Sequence, residues 1–336
     1  MRILKNIFCC ILFFGFCHYS FGQTSDAKYN LSSNYIESIF YDRDGKLWIG
    51  TDEGLNLITS HDQYQFLADI SDDKGILDSE IFKLNDLKNG NLAAFSINGL
   101  SIFNPNEFNF KQIALKSKPV SIHFDINTDS YWITTEESGI VVIDDKFEIK
   151  NDFSFDPLNP LSVSSSRFTG ENKIVFNNQN AFVGTGNGFN IFNKEQQTFK
   201  RFYSGKNGLD SNVIIGIFKL NKDSLLVATA NKIFLFDILS EKFKPLNLEI
   251  ETLDEIIQIS TNEFFLSSES SVYSIQLLND LSLKKELIHS FKSKKSARFK
   301  KLEEGILIFN QDLDYILNFD TKFKSISKYL VFNNIN

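Results

Sequence analysis

Cysteine is scarce in this sequence: its 336 residues include three, all within the first 20 positions (Cys9, Cys10 and Cys17). From residue 23 onward there is none. That part of the chain offers no disulfide, no thiol nucleophile and no cysteine ligand for zinc. Whether the mature protein contains the three cysteines depends on whether the N-terminal stretch is a cleaved signal peptide.

Residues 1–22 are typical of a secretory signal peptide. A basic start precedes an apolar core at 7–16, and small residues follow, with cleavage expected after Gly22. The core is too short for a bilayer, which needs about 20 helical residues. A lipoprotein signal at Cys17 is the alternative, but Phe16 is bulky where a small residue is needed. We therefore expect a periplasmic or secreted protein.

Histidine and positive charge are also scarce. The three histidines after residue 22 (His61, His123 and His289) are far apart and have no metal-ligand spacing. Removal of residues 1–22 leaves 33 basic and 42 acidic residues, a net charge of −9. An acidic secreted chain is a poor candidate for nucleic acid or an anionic membrane. We expect no metal, no cofactor and no nucleic acid partner.

Long apolar runs are absent after residue 22. No stretch of 18 or more apolar residues occurs there, so we expect no membrane segment once the signal peptide is removed. The remaining 314 of the 336 residues would suit two domains by length alone. One long array of repeats would fit equally well.

One short pattern recurs along the whole chain. It is clearest as LWIGTDEGLNLI at 47–58, and six later stretches share its turn and its flanking apolar residues. Successive copies begin 39 to 50 residues apart. The six are LAAFSINGLSIF (92–103), YWITTEESGIVVI (131–143), AFVGTGNGFNIF (181–192), LLVATANKIFLF (225–236), FFLSSESSVYSI (264–275) and ILIFNQDLDYIL (306–317).

Each repeat has the same internal order. An alternating strand and a polar turn come first, then a strand with Trp, Phe or Leu, a tight turn, a third strand, and a fourth strand rich in Phe and polar residues. A four-stranded meander every 40 to 45 residues indicates a propeller blade. The sequence predicts an all-β fold, a single seven-bladed β-propeller of four-stranded antiparallel blades over residues 23–336, with six or eight blades as alternatives. The predicted blades are approximately 31–75, 76–117, 118–160, 161–208, 209–249, 250–290 and 291–332.

Two tryptophans occupy the same place in blades 1 and 3. Because this position is Phe, Leu or Val in other copies, packing between blades is favoured over ligand stacking for Trp48 and Trp132. Gly50, Thr51 and Gly54 belong to the same turn pattern and are predicted to be structural. The stretch that starts at Asp42 resembles the opening of a calcium loop, but lysine, tryptophan and glycine stand where further ligands would be needed, which favours a simple turn.

The stretch from Asp42 to Leu55 resembles the two-component regulator propeller repeats. That family's pattern, Asp-x-x-Gly-x-Leu-Trp-Ile-Gly-Thr-x-x-Gly-Leu, is complete there. KNGLDSNVIIGIF (206–218) is similar to the family's Gly-Leu-x-Ser-Asn start of a blade, and DPLNPLSVSSSRF (156–168) to its linker. The resemblance extends over residues 31 to about 330, and it is weaker in blades 6 and 7.

The resemblance implies a periplasmic sensor propeller of a hybrid two-component system. Full-length members of the family carry two such propellers, an immunoglobulin-like domain, a membrane helix and a cytoplasmic regulator, and many respond to oligosaccharides. This sequence covers one propeller. The resemblance therefore implies an oligosaccharide ligand and, as a partner, a neighbouring propeller or receptor domain outside this chain, or else a propeller that acts alone.

Alternating strand direction sorts the loops of a propeller into two sides. The loop that leads into each blade and the turn between its second and third strands share one side, here called the lead side. The turns between the first and second strands and between the third and fourth strands share the other, the far side. Asn, Asp and Ser commonly make turns, but loops on a rigid scaffold also carry sites. The predicted ligand-binding residues are all on the lead side: Asn34, Glu53, Asp78, Glu80, Glu136, Arg167, Asp210 and Asn212.

Two other classes of function compete with a non-enzymatic sensor. A secreted propeller lyase or glycoside hydrolase would need two carboxylates brought together from different blades, since neighbouring acids on one strand point to opposite faces. Such an enzyme would also place a His or Arg beside them, and the histidines are few and scattered. An extracellular scaffold or adhesion module would instead expose an apolar patch on one rim.

Overall fold

The computed structural model of the chain describes residues 30–68, 75–292, 295–301, 305–309, 315–320 and 325–330. The predicted signal peptide lies outside them. In these residues the backbone forms 28 strands, arranged as seven four-stranded sheets, and one 3₁₀ helix, Lys88–Gly90. The prediction of a seven-bladed β-propeller with four-stranded antiparallel blades is confirmed. Within the described part of the chain, no helix has the length and apolar character needed to cross a membrane.

The strand bounds follow the predicted repeat, four strands to a blade. Blades 1 to 3 contain β1 (Ile36–Tyr41), β2 (Leu47–Thr51), β3 (Gly54–Ile58), β4 (Gln63–Phe66), β5 (Lys83–Asp86), β6 (Leu92–Ser96), β7 (Gly99–Asn104), β8 (Asn109–Ala114), β9 (Pro119–Asp125), β10 (Ser130–Thr135), β11 (Ile140–Ile143) and β12 (Ile149–Phe153). Blades 4 and 5 contain β13 (Ile174–Phe176), β14 (Asn180–Thr185), β15 (Gly188–Asn193), β16 (Thr198–Phe202), β17 (Ile214–Lys219), β18 (Ser224–Thr229), β19 (Ile233–Asp237) and β20 (Lys242–Leu246). Blades 6 and 7 contain β21 (Glu255–Ser260), β22 (Glu263–Ser268), β23 (Ser271–Leu277), β24 (Leu283–Ser290), β25 (Arg298–Lys301), β26 (Gly305–Phe309), β27 (Tyr315–Asp320) and β28 (Ser325–Leu330).

The strands belong to two compact units. The first comprises the described residues up to 119 together with 135–138 and 143–149, and it holds blades 1 and 2. The second comprises residues 120–134, 139–142 and 150–336 and holds most of blade 3 and blades 4 to 7. In the second unit the first strands of blades 4 to 7 lie side by side, β13 against β17, β17 against β21 and β21 against β25.

Burial changes from the middle of each blade to its edge. The second and third strands, such as β6 and β14, are buried at nearly every position, because both faces of the sheet are covered there. The fourth strands are less buried: β12 is mostly exposed, while β8 and β16 are partly buried. This explains why the middle strands are almost continuously apolar, while the fourth strands mix Phe with charged residues.

The tight turn of the repeat depends on glycine in blade 1. Gly54 has φ +148°, and a Cβ there would lie 2.7 Å from the Phe66 carbonyl oxygen. A Cβ on Gly50 would lie 2.3 Å from the carbonyl oxygen of Ile81, the residue that leads into blade 2. Both positions therefore require a residue without a side chain.

A buried hydrogen-bond group, the Ser–Thr–Asn network, ties the leading loop of blade 1 to its own middle strands. Asn56 in β3 donates from Nδ2 to Ser32 Oγ (2.8 Å) and accepts the Ser32 N–H at Oδ1 (2.9 Å). The Thr51 hydroxyl lies 2.9 Å from Ser32 Oγ and donates to the Gly54 carbonyl (3.0 Å). Asn56 and Thr51 are both fully buried, so these bonds satisfy groups that have no access to water.

Blade 4 repeats the Ser–Thr–Asn network with the same geometry. Asn190 donates to Ser164 Oγ (2.9 Å) and to the Val183 carbonyl (3.2 Å), and it accepts the Ser164 N–H (2.8 Å). Thr185 lies 3.0 Å from Ser164 Oγ. In blade 2 a serine in β7, Ser101, takes the place of the asparagine and accepts the N–H of the leading loop (2.7 Å).

Replacing Asn190 by alanine should lower the free energy of unfolding by about 2–3 kcal/mol, because the Ser164 N–H and the Val183 carbonyl would lose a buried partner. Asn178→Ala is the matched control, since that side chain is exposed and should cost less than about 0.5 kcal/mol. Urea unfolding of both variants measures the difference. Equal midpoints for the two variants would contradict a structural role for the network.

The large aromatic side chains fill the space between neighbouring blades. Trp48 is 1% exposed, stacks on Phe66 of blade 1 and meets Phe103 of blade 2 edge-on, with ring centroids 4.8 Å apart. Its indole N–H donates to Asp42 Oδ2 (2.9 Å). Trp132 is buried in the same way among phenylalanines of blades 3 and 4. Both tryptophans are therefore buried where neighbouring blades pack against each other.

Candidate functional site

Three of the predicted lead-side residues hold the loops in place. Asp78 accepts a hydrogen bond from the Asn98 amide (2.9 Å), which joins the leading loop of blade 2 to its second turn. Asp210 accepts the hydroxyl of buried Thr229 (2.8 Å) in blade 5. Asn212 accepts the backbone N–H of Ser204 (2.7 Å). Each of these side chains therefore has a hydrogen-bond partner within its own loops or blade.

The other predicted lead-side residues are exposed at loop tips. Asn34, Glu53, Glu80, Glu136 and Arg167 are all exposed. They are held by backbone contacts of their loops: for example, the Glu136 N–H donates to the Lys118 carbonyl (2.9 Å) and the Gly186 N–H to the Arg167 carbonyl (3.3 Å). Their side chains are therefore accessible to solvent at the tips of their loops.

An acidic group lies on the lead side of the first unit. Burial raises the pKa of Glu37 in β1, and the like charges of Glu80 and Asp52 raise it further, while Lys118 opposes them. Oδ1 of Asp52 is buried without a hydrogen-bond partner in the described residues. Lys118 also lies over the Phe82 ring, 4.2 Å from its centroid. Acids and one lysine thus surround the start of β1.

In the second unit the stretch 169–173 lies across the lead-side ends of two first strands. The ammonium of Lys173 donates to the first two carbonyls of β17, and burial lowers its pKa to about 8. The Asn172 carbonyl accepts the Ile217 N–H (2.8 Å), and its amide donates to Ile256 O (3.4 Å) in β21. These contacts satisfy edge groups that would otherwise face water, and they cover the lead-side end of this row of strands.

A carboxyl with an altered pKa lies beside that stretch, at the start of β21. Burial raises the pKa of Glu255 to about 7; Arg298 opposes the rise and Glu171 adds to it. Arg298 Nη1 is 3.8 Å from Glu255 Oε2, too far for a hydrogen bond. Glu255 Oε2 is accordingly buried without a hydrogen-bond partner in the described residues.

Stability should fall as pH rises through the titration of Glu255. Because its folded-state pKa of about 7 exceeds the ordinary 4.5, the folded protein keeps a proton that the unfolded chain releases between these values. The contribution is complete below pH 4.5 and is lost as the pH approaches 7. Glu255→Gln should therefore stabilise the protein at pH 8 by about 1–2 kcal/mol, a figure reduced because the side chain is 31% exposed.

Urea unfolding at pH 4.5 and pH 8 measures this effect. Exposed Glu251→Gln is the control and should leave the pH dependence of wild type unchanged. If the free energy of unfolding depended on pH in the same way in Glu255→Gln and Glu251→Gln, the raised pKa of Glu255 would be contradicted.

An open depression of about 800 Å³ lies on the far side of the second unit. The turns between the first and second strands of blades 3, 4 and 5 enclose it. Its apolar part comprises Phe124, Ile126, Val175 and Phe176, and its polar part comprises Asn127, Asn177, Asn178, Gln179, Lys219, Lys222 and Asp223.

The ligand-binding residues predicted from the sequence do not include these far-side residues. The signal was present as NTDS at 127–130 and NNQ at 177–179, polar turns at the same place in two neighbouring repeats. Because Asn and Asp so often make turns, these two segments predict turns and no more. Adjacent copies with unusually many amides would have been the clue.

No metal site is evident in the described ranges: no group of three or more His, Asp or Glu side chains there could hold an ion. The stretch at Asp42 is a turn, in which Asp42 Oδ1 accepts the N–H groups of Asp44 (3.0 Å) and Lys46 (2.9 Å). Its other oxygen is used by Trp48. Every carboxylate oxygen of Asp42 thus has a partner within the protein.

The four-stranded sheets and the repeated turns define a β-propeller. Residues 30–53 match the model of the family described as two component regulator propeller. The chain thus carries a repeat of that family, and the resemblance predicted from Asp42 to Leu55 is confirmed. Among curated proteins, no match was found.

Solved structures with the same fold include two extracellular domains from B. thetaiotaomicron. The first, of a protein named as the hybrid two component system BT3049, has 15% identity and a TM-score of 0.52 over 91% of this chain. The second, named as the hybrid two component system BT4673, has 14% identity and a TM-score of 0.54 over 89%. This chain spans 36% of the first and 49% of the second.

A third similar structure is a streptogramin B lyase, with 12% identity and a TM-score of 0.52, which covers 89% of this chain and 94% of its own. At such identities these likenesses concern the fold.

Proposed function

We propose that the protein is a non-enzymatic recognition propeller, located in the periplasm or outside the cell, that senses an oligosaccharide. The observation that carries the proposal is the two component regulator propeller repeat at residues 30–53, in a fold shared with extracellular domains of hybrid two component systems. Sensing would be passive: a ligand biases how the rigid propeller packs against a neighbouring receptor domain. Such coupling needs a ligand with different affinities for the two arrangements.

On the lead side, the exposed loop-tip residues are the proposed contacts. Carboxylates, an amide and a guanidinium can accept and donate hydrogen bonds to sugar hydroxyls. The loop that carries Glu80 is fixed by the hydrogen bond between Asp78 and Asn98, and those of Glu136 and Arg167 are fixed by backbone hydrogen bonds. A ligand would therefore meet groups that need little ordering on binding.

Thermal melts of the mature protein with a panel of oligosaccharides test this function. A ligand at 100 times its Kd should stabilise the fold by about 2.7 kcal/mol, and chromatography should recover the sugar unchanged. Glu80→Gln should weaken the shift, while Glu195→Gln, an equal change in an exposed far-side turn, should not. Cleavage of the sugar would refute the non-enzymatic assignment, and a melt that no sugar moves would refute oligosaccharide sensing.

A further inference from the structure

The far-side depression has a rigid frame built around a buried ion pair. Lys194 Nζ lies 2.5 Å from Asp125 Oδ2, with the two side chains 10% and 0% exposed. The same ammonium donates to the Asn177 carbonyl (2.7 Å) and lies 5.3 Å from the Phe176 ring centroid. Asp125 in turn accepts the Asn127 N–H (3.1 Å). One cation thus joins the turns of blades 3 and 4 that form the walls.

The same turns leave amide groups available to a ligand. Asn177 Oδ1 accepts the N–H groups of Gln179 (3.0 Å) and Asn180 (2.7 Å), so its NH₂ group has no protein partner in the described residues. Asn178 and Gln179 are exposed. Amides both donate and accept, which suits a ligand with many hydroxyl groups.

Apolar side chains complete the depression. Phe124, Val175 and Phe176 are partly buried in it, and Ile126 on its lip is 78% exposed. A concave surface with an apolar part and a few convergent polar groups is the usual form of a small-ligand site, and about 800 Å³ is within the usual size range.

The charge at the lip is positive although the protein is acidic, with a net charge of −7. Lys219 is exposed and has no ion pair in the described residues. Lys222 is 89% exposed, and its Nζ is as far as 3.9 Å from Asp223 Oδ2, so the two form a weak surface pair. Two ammonium groups therefore face one carboxylate beside the amides, which favours an anionic ligand.

We propose that the far-side depression is a second binding site, and that it takes an anionic saccharide. The amides of blades 3 and 4 bind the hydroxyls, the apolar part packs against a sugar ring, and Lys219 and Lys222 pair with its carboxylate or sulfate. The inference goes beyond the proposed function, because it assigns a site at far-side turns of the second unit, which carry none of the loop-tip residues, and a charge to its ligand.

Calorimetric titration of the mature protein with tetrasaccharides tests the site. The probes are uronate oligomers, sulfated oligomers and neutral oligomers of equal length, in low salt and at 0.5 M NaCl. We expect wild type to bind an anionic probe at least roughly tenfold more tightly than the neutral one, and added salt to weaken this binding. The carboxylate and sulfate arms identify which anion is recognised.

The double variant Lys219→Ala/Lys222→Ala should weaken anionic binding roughly tenfold or more, since a hydrogen bond to a charged group contributes that much. Lys206→Ala/Lys232→Ala is the matched control: it removes the same charge from exposed lead-side loops of the same unit and should bind as wild type does. Asn178→Ala should also weaken binding without changing the melting temperature of the free protein.

Two results would overturn the site. One is an anionic probe that binds to the Lys219→Ala/Lys222→Ala variant as tightly as it binds to the control variant. The other is a protein that binds only neutral probes, which would leave the proposed sensing function intact. If no sugar of any charge bound, both proposals would fail together.

Discussion

Replacing Lys194 by methionine should lower the free energy of unfolding by about 3–5 kcal/mol. The substitution keeps the length and the apolar stem but leaves the Asp125 carboxylate, which is 0% exposed, without its cation. Breaking a buried pair by removing one partner is costly because the remaining charge stays away from water. The Asn177 carbonyl would also lose the ammonium that holds it. Urea unfolding at neutral pH measures the loss.

The chain offers a matched control in Lys200→Met. Lys200 pairs with Glu241 on the surface, where the two side chains are 61% and 34% exposed. A surface pair contributes about 0–1 kcal/mol, so this variant should stay close to wild type. If Lys194→Met lowered the free energy of unfolding no more than Lys200→Met does, water would reach the Asp125 carboxylate. In that case the ion pair would not hold the walls of the depression in place.

Trp132→Ala should cost about 3–5 kcal/mol, the usual range for removing a large aromatic side chain from a core. The indole is 3% exposed and has ring contacts with Phe153 (5.8 Å), Phe176 (5.5 Å) and Phe192 (5.2 Å). The last two belong to blade 4, so the cavity would open between blades 3 and 4. Denaturant unfolding again gives the free energy.

Trp132→Phe serves as the control for that experiment. It keeps an aromatic ring against the blade 4 phenylalanines and should recover at least half of the loss caused by alanine. A loss below about 1 kcal/mol for Trp132→Ala would mean that blades 3 and 4 repack around the gap. In that case the packing role of the tryptophan would be refuted.

Much of the fold could be predicted because the information is local and repeated. The string LWIGTDEGLNLI at 47–58 became β2, a tight turn and β3 almost residue for residue. The same holds for 92–103 and 181–192. Alternation and a glycine turn fix a hairpin without knowledge of distant residues. By contrast, β13 is only three residues long, because the stretch before it turns towards blade 5 instead of extending the strand.

The site was harder to predict because it depends on contacts far apart in the sequence. The sequence predicts Asp78 and Asp210 as ligand contacts from their loop positions. It does not show that one oxygen of each also accepts a hydrogen bond from a residue 20 or 19 positions away, Asn98 or Thr229. The amide-rich turns of blades 3 and 4 are 50 residues apart and are joined by an Asn127–Asn177 hydrogen bond. A single sequence gives the side of a loop, but not which side chains are already engaged by the scaffold.

The Ser–Thr–Asn network also bears on how such a protein grows over evolutionary time. In blade 1 it joins Ser32 to Thr51 and Asn56, and in blade 4 it joins Ser164 to Thr185 and Asn190. All hydrogen bonds of each copy therefore lie within one blade. A duplicated gene segment that encodes one blade therefore encodes every residue of this hydrogen-bond network. The new copy needs only a compatible apolar face on its neighbour, which many combinations of Trp, Phe and Leu can supply. Whole blades are therefore the natural unit of duplication and exchange in this chain.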